Sequence, residues 1–300
     1  MTPEHDAVRQ RLGRVGVWTF AFDALPAADV RSAVAAIEDL GFPAVWIPEG
    51  GASREVFAHL SLLLASTSRI TVCSGIANVT ARHPEAMAGG VRTLADAYGE
   101  RVVLGIGVGH QVTTDRRGQA WDRPIQRMAS YLDAMEAREM GPAPAAPVRL
   151  LLAALGPRML ALAAERARGA HTYFVPVEHT AWARAELGRE PVLAVEQTAI
   201  VTRDADAARR LAREWSASYL ELPNYANNWR RMGFDEDDVR GSDRLLRSAF
   251  AWGDAGAVAD RVREHLDAGA DHVCVQLISD RDDDVGLDTL GELVELVRPA

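Results

Sequence analysis

The sequence predicts an α/β fold in which eight parallel strands close into a barrel with helices outside, the (β/α)8 or TIM barrel. Short apolar runs alternate eight times with longer segments of helical pattern along the 300 residues. Most of these runs are continuously apolar, as expected for strands that are buried on both faces of a parallel sheet. Eight such units fit a closed barrel better than a six-stranded doubly wound sheet.

Each predicted strand is an apolar or β-branched run. In chain order the runs are VGVWTFAF from Val15, AVWI from Ala44, ITVCSGIA from Ile70, VVLGIGV from Val102, VRLLLAA from Val148, HTYFV from His171, VLAVEQTAIV from Val192 and HVCVQLI from His272. The segments between them carry the helical patterns. In AVADRVREHLDAGAD, for example, apolar residues recur every four positions and would lie on one helix face. Gly41, Gly169 and Gly269 each follow such a pattern and precede a strand, so all three are predicted left-handed C-caps.

The alternation of strands and helices predicts one domain over residues 1–300. The segment GPAPAAP, residues 141–147, is interpreted as a helix-to-strand loop rather than a domain linker. The longest departure lies between strands seven and eight, where SYLELPNYANNWRRMGFDEDDVRGSDRLLRSAFAWG adds helical material. We expect this helical insertion to build the pocket of the barrel.

Composition narrows the class of protein. The net charge of −9 argues against nucleic acid or an anionic membrane as the main partner. All 33 basic residues are arginine, which excludes a Schiff-base lysine mechanism. The two cysteines, Cys73 and Cys274, lack metal-ligand spacing and are expected to be buried free thiols, so no metal site is predicted. The polar N-terminus and the absence of a long apolar run predict a cytoplasmic protein.

The stretch VVLGIGVGH, residues 102–110, ends a strand in three glycines without matching a dinucleotide fingerprint. That fingerprint requires G-x-G-x-x-G with a helix beginning at once. Here Gly105, Gly107 and Gly109 alternate, and the following QVTTDRRGQAWDRP is expected to be a loop, with the next helix beginning near Pro124. Alternate glycines remove side chains from one strand face, where a flat ring could lie against the backbone. Gly75 likewise interrupts strand three, as either a ligand-facing bulge or a packing glycine.

Four segments resemble the luciferase-like monooxygenase superfamily. They are DLGFPAVWIPE, TVCSGIANVTARHPEAM, TLADAYGERVVLGIGVGH and LAALGPRMLALAAERARGAHTYF. They are most similar to its coenzyme F420-dependent oxidoreductase branch, and the later LPNYANNWRRMGF and WGDAGAVADRVREHLDAGADHVCVQ are similar to an actinobacterial group within it. The resemblance extends from about residue 13 to about residue 278.

The resemblance implies a flavin-type tricycle at the C-terminal mouth of the barrel, and a homodimer. In F420-using members a non-prolyl cis peptide on strand three supports the ring, and here it would join Gly75 to Ile76. On strand three, and at the end of strand four, the implied cofactor residues are Gly75, Ile76, Asn78, Gly107 and Gly109.

A phosphate-binding turn is implied by ALGPRM, residues 154–159. Its candidate residues are Ala154, Gly156, Pro157 and Arg158. Independently of the family, a Gly-Pro helix start leaves free N–H groups and the positive end of the helix dipole for an anion. An ordinary capped helix start is the alternative interpretation.

Two residues are candidates for catalysis. Glu49 matches an acidic or polar position near the reactive edge of the ring, and the alternative is an acid at a helix N-terminus. His110 is a candidate proton donor or acceptor, and the alternative is a strand-end histidine bonded to the backbone. Where sugar-phosphate dehydrogenases of the family carry His and Trp, this chain has Gly50, Gly51 and Ala52, which argues against a sugar-phosphate substrate.

Five further residues are candidates for a substrate pocket: Trp18, Gln197, Tyr225, Asn228 and Gln276. Trp18 could instead be simply packed, and the two glutamines could satisfy backbone groups. Tyr225 and Asn228 could instead belong to a polar, exposed lid.

The resulting hypothesis is an F420-dependent oxidoreductase that transfers a hydride between the deazaflavin and a small organic substrate. The first alternative is an FMN-dependent monooxygenase on the same barrel. The second is a flavin-binding protein without turnover. The sequence leaves the substrate and the direction of transfer open.

Overall fold

The strands form one closed parallel barrel. The computed structural model describes residues 3–137, 141 and 143–298. Nine strands lie in this part of the chain: Val15–Trp18 (β1), Ala44–Ile47 (β2), Thr71–Asn78 (β3), Val102–Gly107 (β4), Leu150–Ala153 (β5), Gly169–Thr172 (β6), Val192–Val201 (β7), Ala251–Gly253 (β8) and His272–Leu277 (β9). The ring runs from β1 to β7 and closes through β9, which pairs with both β7 and β1. The predicted eight-stranded barrel is therefore confirmed.

The helices lie around this ring. The described residues hold fourteen α-helices: Pro3–Leu12 (α1), Ala21–Ala24 (α2), Ala27–Leu40 (α3), Val56–Ala65 (α4), Pro84–Tyr98 (α5), Gln111–Arg116 (α6), Pro124–Glu136 (α7), Pro157–Arg166 (α8), Val177–Leu187 (α9), Ala205–Leu220 (α10), Pro223–Arg231 (α11), Asp243–Ala249 (α12), Ala255–Asp267 (α13) and Leu287–Val297 (α14). Two 3₁₀ turns occupy Gly99–Arg101 and Asp238–Arg240. None of the helices in the described ranges is long and apolar enough to span a membrane.

Three expectations about local structure are wrong. The segment after β4 begins with a helix, α6, because the Thr114 hydroxyl and N–H both donate to the carbonyl of His110. Gly169 lies inside β6 instead of capping a helix: its Cβ would overlap the backbone of Val192 on the paired strand. The short strand β8 went unrecognised, and it pairs with the end of β7 outside the ring. By contrast, Gly41 caps α3 with φ +96° as expected.

A second hydrophobic cluster belongs to the segment between β7 and β9. Helices α10, α11 and α12 pack around the buried rings of Trp229 and Phe250, and the cluster includes Phe174 from just beyond β6. This segment is helical over most of its length. Because Phe174 follows the carboxyl end of β6 and belongs to the cluster, the segment packs at this end of the barrel.

The amino end of the barrel is closed by its own side chains. Leu12 of α1 packs with Trp46 inside the ring. The Trp46 indole donates to Nε2 of His272 at 3.0 Å, and Nδ1 of His272 donates to the carbonyl of Gly13 at 2.9 Å. Burial lowers the pKa of His272 to about 4, so the ring is neutral. The amino end of the barrel is therefore filled and leaves no room for a ligand.

Glu38 of α3 is expected to stabilise the fold strongly. Its buried carboxylate accepts the backbone N–H groups of Ser68, Arg69 and Ile70, and these bonds lower its pKa to about 2. Glu38→Gln is expected to lower the free energy of unfolding at pH 7 by about 1.5–3 kcal/mol, since one amide oxygen replaces two charged acceptors. Because the folded pKa is depressed, the advantage of Glu38 is full above about pH 4.5 and declines as the pH falls toward 2. Urea unfolding of both proteins at pH 7, 5 and 4 measures the difference between their free energies of unfolding. A difference below 0.5 kcal/mol at pH 7 that stays constant down to pH 4 would contradict the expectation.

Candidate active site

The third strand is interrupted where it reaches the mouth of the barrel. The register between β3 and β4 shifts between Ser74 and Ala77, and the peptide bond from Gly75 to Ile76 is cis. The family resemblance implied both features, whereas Gly75 by itself left a bulge and a packing glycine open. Cys73 and Ala77 on either side are fully buried, whereas Gly75 and Ile76 are partly exposed. The bulge is therefore a part of β3 that reaches the mouth.

The glycines within β4 and just beyond its end accommodate this bulge. A Cβ on Gly105 would overlap the carbonyl oxygen of Ser74, and one on Gly107 would lie 2.8 Å from the side chain of Ile76. A Cβ on Gly109 would overlap the side-chain amide of Asn78. The expectation that these glycines face a flat ring directly is corrected, since the bulged strand occupies the space that they leave. They let β3 bend, and the shelf toward the mouth is the bulge itself.

The open side of the mouth runs along three neighbouring strands. We use this name for the partly exposed residues Gly75 and Ile76, which form the bulge of β3, and Gly109, Ala153 and Gly156, which lie at or beyond the ends of β4 and β5. These strands are consecutive in the ring, so the residues form one strip. The ends of β1 and β2 are buried by comparison.

Glu49 lies beside the open side and forms a buried ion pair. Arg82 donates to both of its carboxylate oxygens, and the N–H of Asn78 donates to Oε2 at 2.7 Å. The side chains of Glu49 and Arg82 are only 6% and 11% exposed. The alternative of an acid at a helix N-terminus is wrong, because α4 begins at Val56 and is capped by Glu55. Glu49 thus holds the end of β3 in place.

Two buried ring nitrogens that lack hydrogen-bond partners among the described residues lie close to Gly75. The indole nitrogen of Trp18 and Nε2 of His171 have no hydrogen-bond partner among the described residues. A Cβ on Gly75 would overlap the Trp18 nitrogen and lie 3.1 Å from Nε2 of His171. Trp18 is 1% exposed and belongs to the packed interior, so it lies beneath the mouth. Only a glycine fits between these rings.

Buried aromatic and polar side chains follow one another from Trp18 toward β7 and β9. The ring of Tyr173 lies 5.2 Å from that of Trp18, and its hydroxyl donates to Oε1 of Gln276 at 2.8 Å. The next residue, Phe174, has φ +54°, a left-handed conformation that is uncommon for a bulky residue. Glu196 accepts the N–H of Phe174 at 3.1 Å and thereby stabilises this turn.

Glu196 is the most perturbed carboxyl group of the mouth. It is 1% exposed, and its described partners are the N–H of Phe174 and the hydroxyl of Thr198. Burial raises its pKa to about 7, because two neutral donors replace the full hydration of a charge only in part. Glu196 can therefore change protonation state near neutral pH.

Gln197 points away from the barrel interior, which corrects its assignment to the pocket. Its amide nitrogen donates to the carbonyls of Thr198 and Ala249, and its oxygen lies 2.8 Å from Nε2 of His265 on α13. Successive strand residues face opposite sides, so Glu196 and Thr198 face inward when Gln197 faces outward. The alternative interpretation, satisfaction of backbone groups, describes Gln197.

His110 lies at the start of α6 beside α11. Its ring centroid is 5.6 Å from that of Tyr225, and Asn224 hydrogen-bonds its side chain. Burial lowers the pKa of His110, and the bond to Asn224 opposes this shift. Nδ1 has no partner among the described residues. Tyr225 is 6% exposed, so it is a packed residue and not part of an exposed lid.

The start of α8 lies at the far end of the open side. Gly156 is the N-cap residue, contributes no side-chain cap, and is followed by Pro157 at the first helical position. Pro157 and Arg158 are exposed, whereas Ala154 is buried with its N–H bonded to the carbonyl of His171. The uncapped N–H groups of a helix start suit an anion. Asn228, predicted for the pocket, is fully buried near this helix start.

Four residues of this region were missed by sequence reasoning: His171, Tyr173, Glu196 and Arg231. Their identities carry no motif, and their positions depend on which face of a strand or helix points to the mouth. On strands that are buried on both faces, the sequence gives no alternation from which to read that orientation.

Comparison with known proteins agrees with the fold. The family model of luciferase-like monooxygenases matches residues 13–272. A 5,10-methylenetetrahydromethanopterin reductase of Archaeoglobus fulgidus is 28% identical over 256 residues, which cover 76% of this chain and 77% of that enzyme.

Two solved structures share the architecture over nearly the whole chain. An F420-dependent secondary alcohol dehydrogenase in complex with an F420-acetone adduct has a TM-score of 0.77 at 16% identity, covering 95% of this chain and 99% of that one. The coenzyme F420-dependent tetrahydromethanopterin reductase of Methanopyrus kandleri has a TM-score of 0.74 at 18% identity, with coverage of 95% and 99%. Since the family model matches well over half of the sequence, this protein belongs to the luciferase-like monooxygenase family.

Proposed function

We propose that this protein is a coenzyme F420-dependent oxidoreductase that transfers a hydride between C5 of the deazaflavin and a small organic substrate. The observation that carries the proposal is the open side of the mouth, which combines an uncharged shelf at Gly75–Ile76 with an anion-suited helix start at Gly156. F420 has a flat tricycle at one end and a phosphate ester along its side chain. The two structural neighbours, which are F420-dependent enzymes, and the methylenetetrahydromethanopterin reductase of A. fulgidus also support an F420-dependent oxidoreductase.

The shelf fits the tricycle chemically. Gly75 and Ile76 offer backbone and an aliphatic side chain, and the nearest atoms to a Cβ built on Gly107 are those of Ile76 and Ala153, which are both apolar. Behind them lie the indole nitrogen of Trp18 and Nε2 of His171, which have no hydrogen-bond partner among the described residues. Asn78 at the end of the bulge is fixed by Glu49.

The helix start fits the phosphate. Gly156 and Pro157 leave the beginning of α8 without a side-chain cap, and Arg158 adds an exposed cation on the same turn. A phosphate there would accept backbone N–H groups and gain from the helix dipole. Ala154 contributes to the turn through its backbone, since its N–H holds the end of β6.

When bound, the deazaflavin supplies or accepts the hydride, and the protein must orient the substrate and move a proton. We propose His110 and Glu49 as the candidates for this task. Because burial lowers the pKa of His110, its ring is neutral at pH 7 and would accept a proton from an alcohol or amine substrate. Glu49, held by Arg82 and Asn78, would orient groups at the mouth. Gln276, which accepts a hydrogen bond from Tyr173, and Tyr225, whose ring lies beside His110, are the proposed substrate contacts.

The closest rival is an FMN-dependent monooxygenase, because the family model that matches is described as a luciferase-like monooxygenase. A deazaflavin has carbon at position five and does not form the oxygen adduct efficiently, so the two cofactors imply different reactions. A non-catalytic flavin-binding protein is the second rival. It predicts binding without turnover, with His110→Ala and Glu49→Ala changing affinity alone.

Fluorescence titration of the purified protein with F420 and with FMN tests the proposal. We expect saturable binding of F420 and binding of FMN that is weaker by at least about tenfold, a difference of about 1.4 kcal/mol. Tight FMN binding without F420 binding would contradict the proposal and favour the monooxygenase.

We further propose that the protein is a cytoplasmic homodimer. The two buried free thiols, Cys73 and Cys274, suit a reducing compartment, and the family resemblance supports a dimer. Sedimentation of the purified protein at micromolar concentration measures the mass, and a monomer would contradict the dimer.

A further inference from the structure

The end of α11 faces the start of α8. A Cβ built on Gly156 would lie 3.7 Å from Nη2 of Arg231, so the guanidinium of Arg231 lies beside the helix start. The guanidinium is also fixed from the other side, because its carbon atom lies 5.4 Å from the ring centroid of Trp182. Two different segments of the chain, the turn after β5 and the last turn of α11, therefore converge on one point.

The charge of Arg231 is uncompensated there. Within residues 3–137, 141 and 143–298, no carboxylate oxygen lies within 4.0 Å of its guanidinium nitrogens, whereas the neighbouring Arg230 forms a double hydrogen bond with Glu236. A free cation next to the positive end of a helix dipole is electrostatically unfavourable unless an anion lies between them. Arg158 adds a third positive group on the same helix turn.

Asn228 provides an independent indication. Its Oδ1 accepts from Nη1 of Arg231 at 3.0 Å, and because a guanidinium only donates, this contact fixes which end of the amide is oxygen. The opposite end, Nδ2, is then a donor, and it has no partner within the described part of the chain although Asn228 is 0% exposed. A buried donor without an acceptor costs about 1–3 kcal/mol, so such groups mark places where a ligand or water belongs.

We propose that Arg231 and Asn228 of α11 form the second wall of an anion site whose first wall is the start of α8, and that this site binds the phosphate ester of the cofactor. The inference rests on the proposed function for the identity of the cofactor. It adds that the helical segment between β7 and β9 recognises the charged part of the cofactor and does not only cover the mouth. Tyr225, which contacts His110, lies on the same helix, so α11 links the phosphate end to the reactive end.

Paired ligands with and without phosphate test this site. Fluorescence titrations would use F420 and its phosphate-free deazaflavin nucleoside, and in parallel FMN and riboflavin, with wild type, Arg231→Ala, Arg230→Ala and Asn228→Asp. Arg230 is the matched control, since it is adjacent, exposed and paired with Glu236. Circular dichroism melting curves verify that each variant folds.

For Arg231→Ala we expect the Kd of the phosphate-bearing ligand to rise about 10- to 100-fold and that of its phosphate-free partner to change less than about twofold. Arg230→Ala should leave both unchanged, and Asn228→Asp should weaken only the phosphate-bearing ligand because it adds a negative charge. Equal weakening of both ligands by Arg231→Ala, or no change in either, overturns the inference. If wild type binds FMN and not F420, the proposed function fails while the riboflavin pair still decides this site. If wild type binds none of the four ligands, both proposals fail.

Discussion

Replacing Arg82 with methionine is expected to lower the free energy of unfolding by about 3–5 kcal/mol, the typical cost of leaving one member of a buried ion pair without its partner. Glu49 is 6% exposed, and Arg82 supplies hydrogen bonds to both of its oxygens. Without Arg82, the described partner left to the Glu49 carboxylate is the N–H of Asn78. Methionine keeps the aliphatic length of the side chain, so the loss reports on charge and hydrogen bonding rather than on a cavity.

Urea unfolding at pH 7 measures this loss, and Arg69→Met is the matched control. Arg69 pairs with Asp39 at 3.8 Å on the surface, where the side chains are 68% and 81% exposed, so its replacement should change stability by less than about 0.5 kcal/mol. The double variant Arg82→Met with Glu49→Gln should recover part of the loss, because the uncompensated charge is gone. A loss below 1 kcal/mol in the single variant would show that the carboxylate does not depend on Arg82.

Replacing Gly75 with alanine is expected to lower stability by about 1–3 kcal/mol and to weaken cofactor binding by at least about tenfold. The added Cβ would overlap the indole nitrogen of Trp18 and approach Nε2 of His171, and both rings are fixed in the packed interior. The shelf must move toward the mouth to relieve the overlap, into the space where the proposed tricycle would lie.

Gly291→Ala is the control for this substitution. Its Cβ would lie 3.5 Å from the side chain of Leu40 at the end of α3, an ordinary contact, so the change should be neutral or stabilising by up to about 1 kcal/mol. Thermal unfolding together with F420 titration of both variants measures the two effects. Unchanged F420 affinity in Gly75→Ala would mean that the ring does not lie against this bulge.

The bulge shows how far family-level sequence information reaches. A glycine inside strand three and the resemblance together located the interruption at Gly75 and Ile76, and the structure has it there. The alternating glycines of β4 were recognised as well, but their purpose was misjudged. From sequence, a missing side chain shows that something lies close, whereas only the coordinates show that Ser74 and Ile76 are what lies close.

The neighbours Glu196 and Gln197 show where the sequence is ambiguous. Both are polar residues on a strand that is buried along nearly its whole length, so hydropathy cannot say which one faces the interior. Register with β9 decides it: Glu196 lies opposite Cys274 of the barrel interior, and Gln197 turns to His265 on α13. The contact between Arg231 and Gly156 could not be predicted from the sequence either, because the two residues are about 75 positions apart in the chain.

The sequence by itself determined the barrel, the order of its eight strands and the helix start at Gly156, because periodicity, glycine and proline act on the local backbone. It located the interruption of β3 only together with the family resemblance. The tertiary structure alone decided which side chains meet: the Glu49–Arg82 pair, the rings behind Gly75, the turn that Glu196 stabilises and the approach of α11 to α8. Such contacts depend on strand register and helix rotation, and these are set by the packing of the whole barrel rather than by any short run of residues.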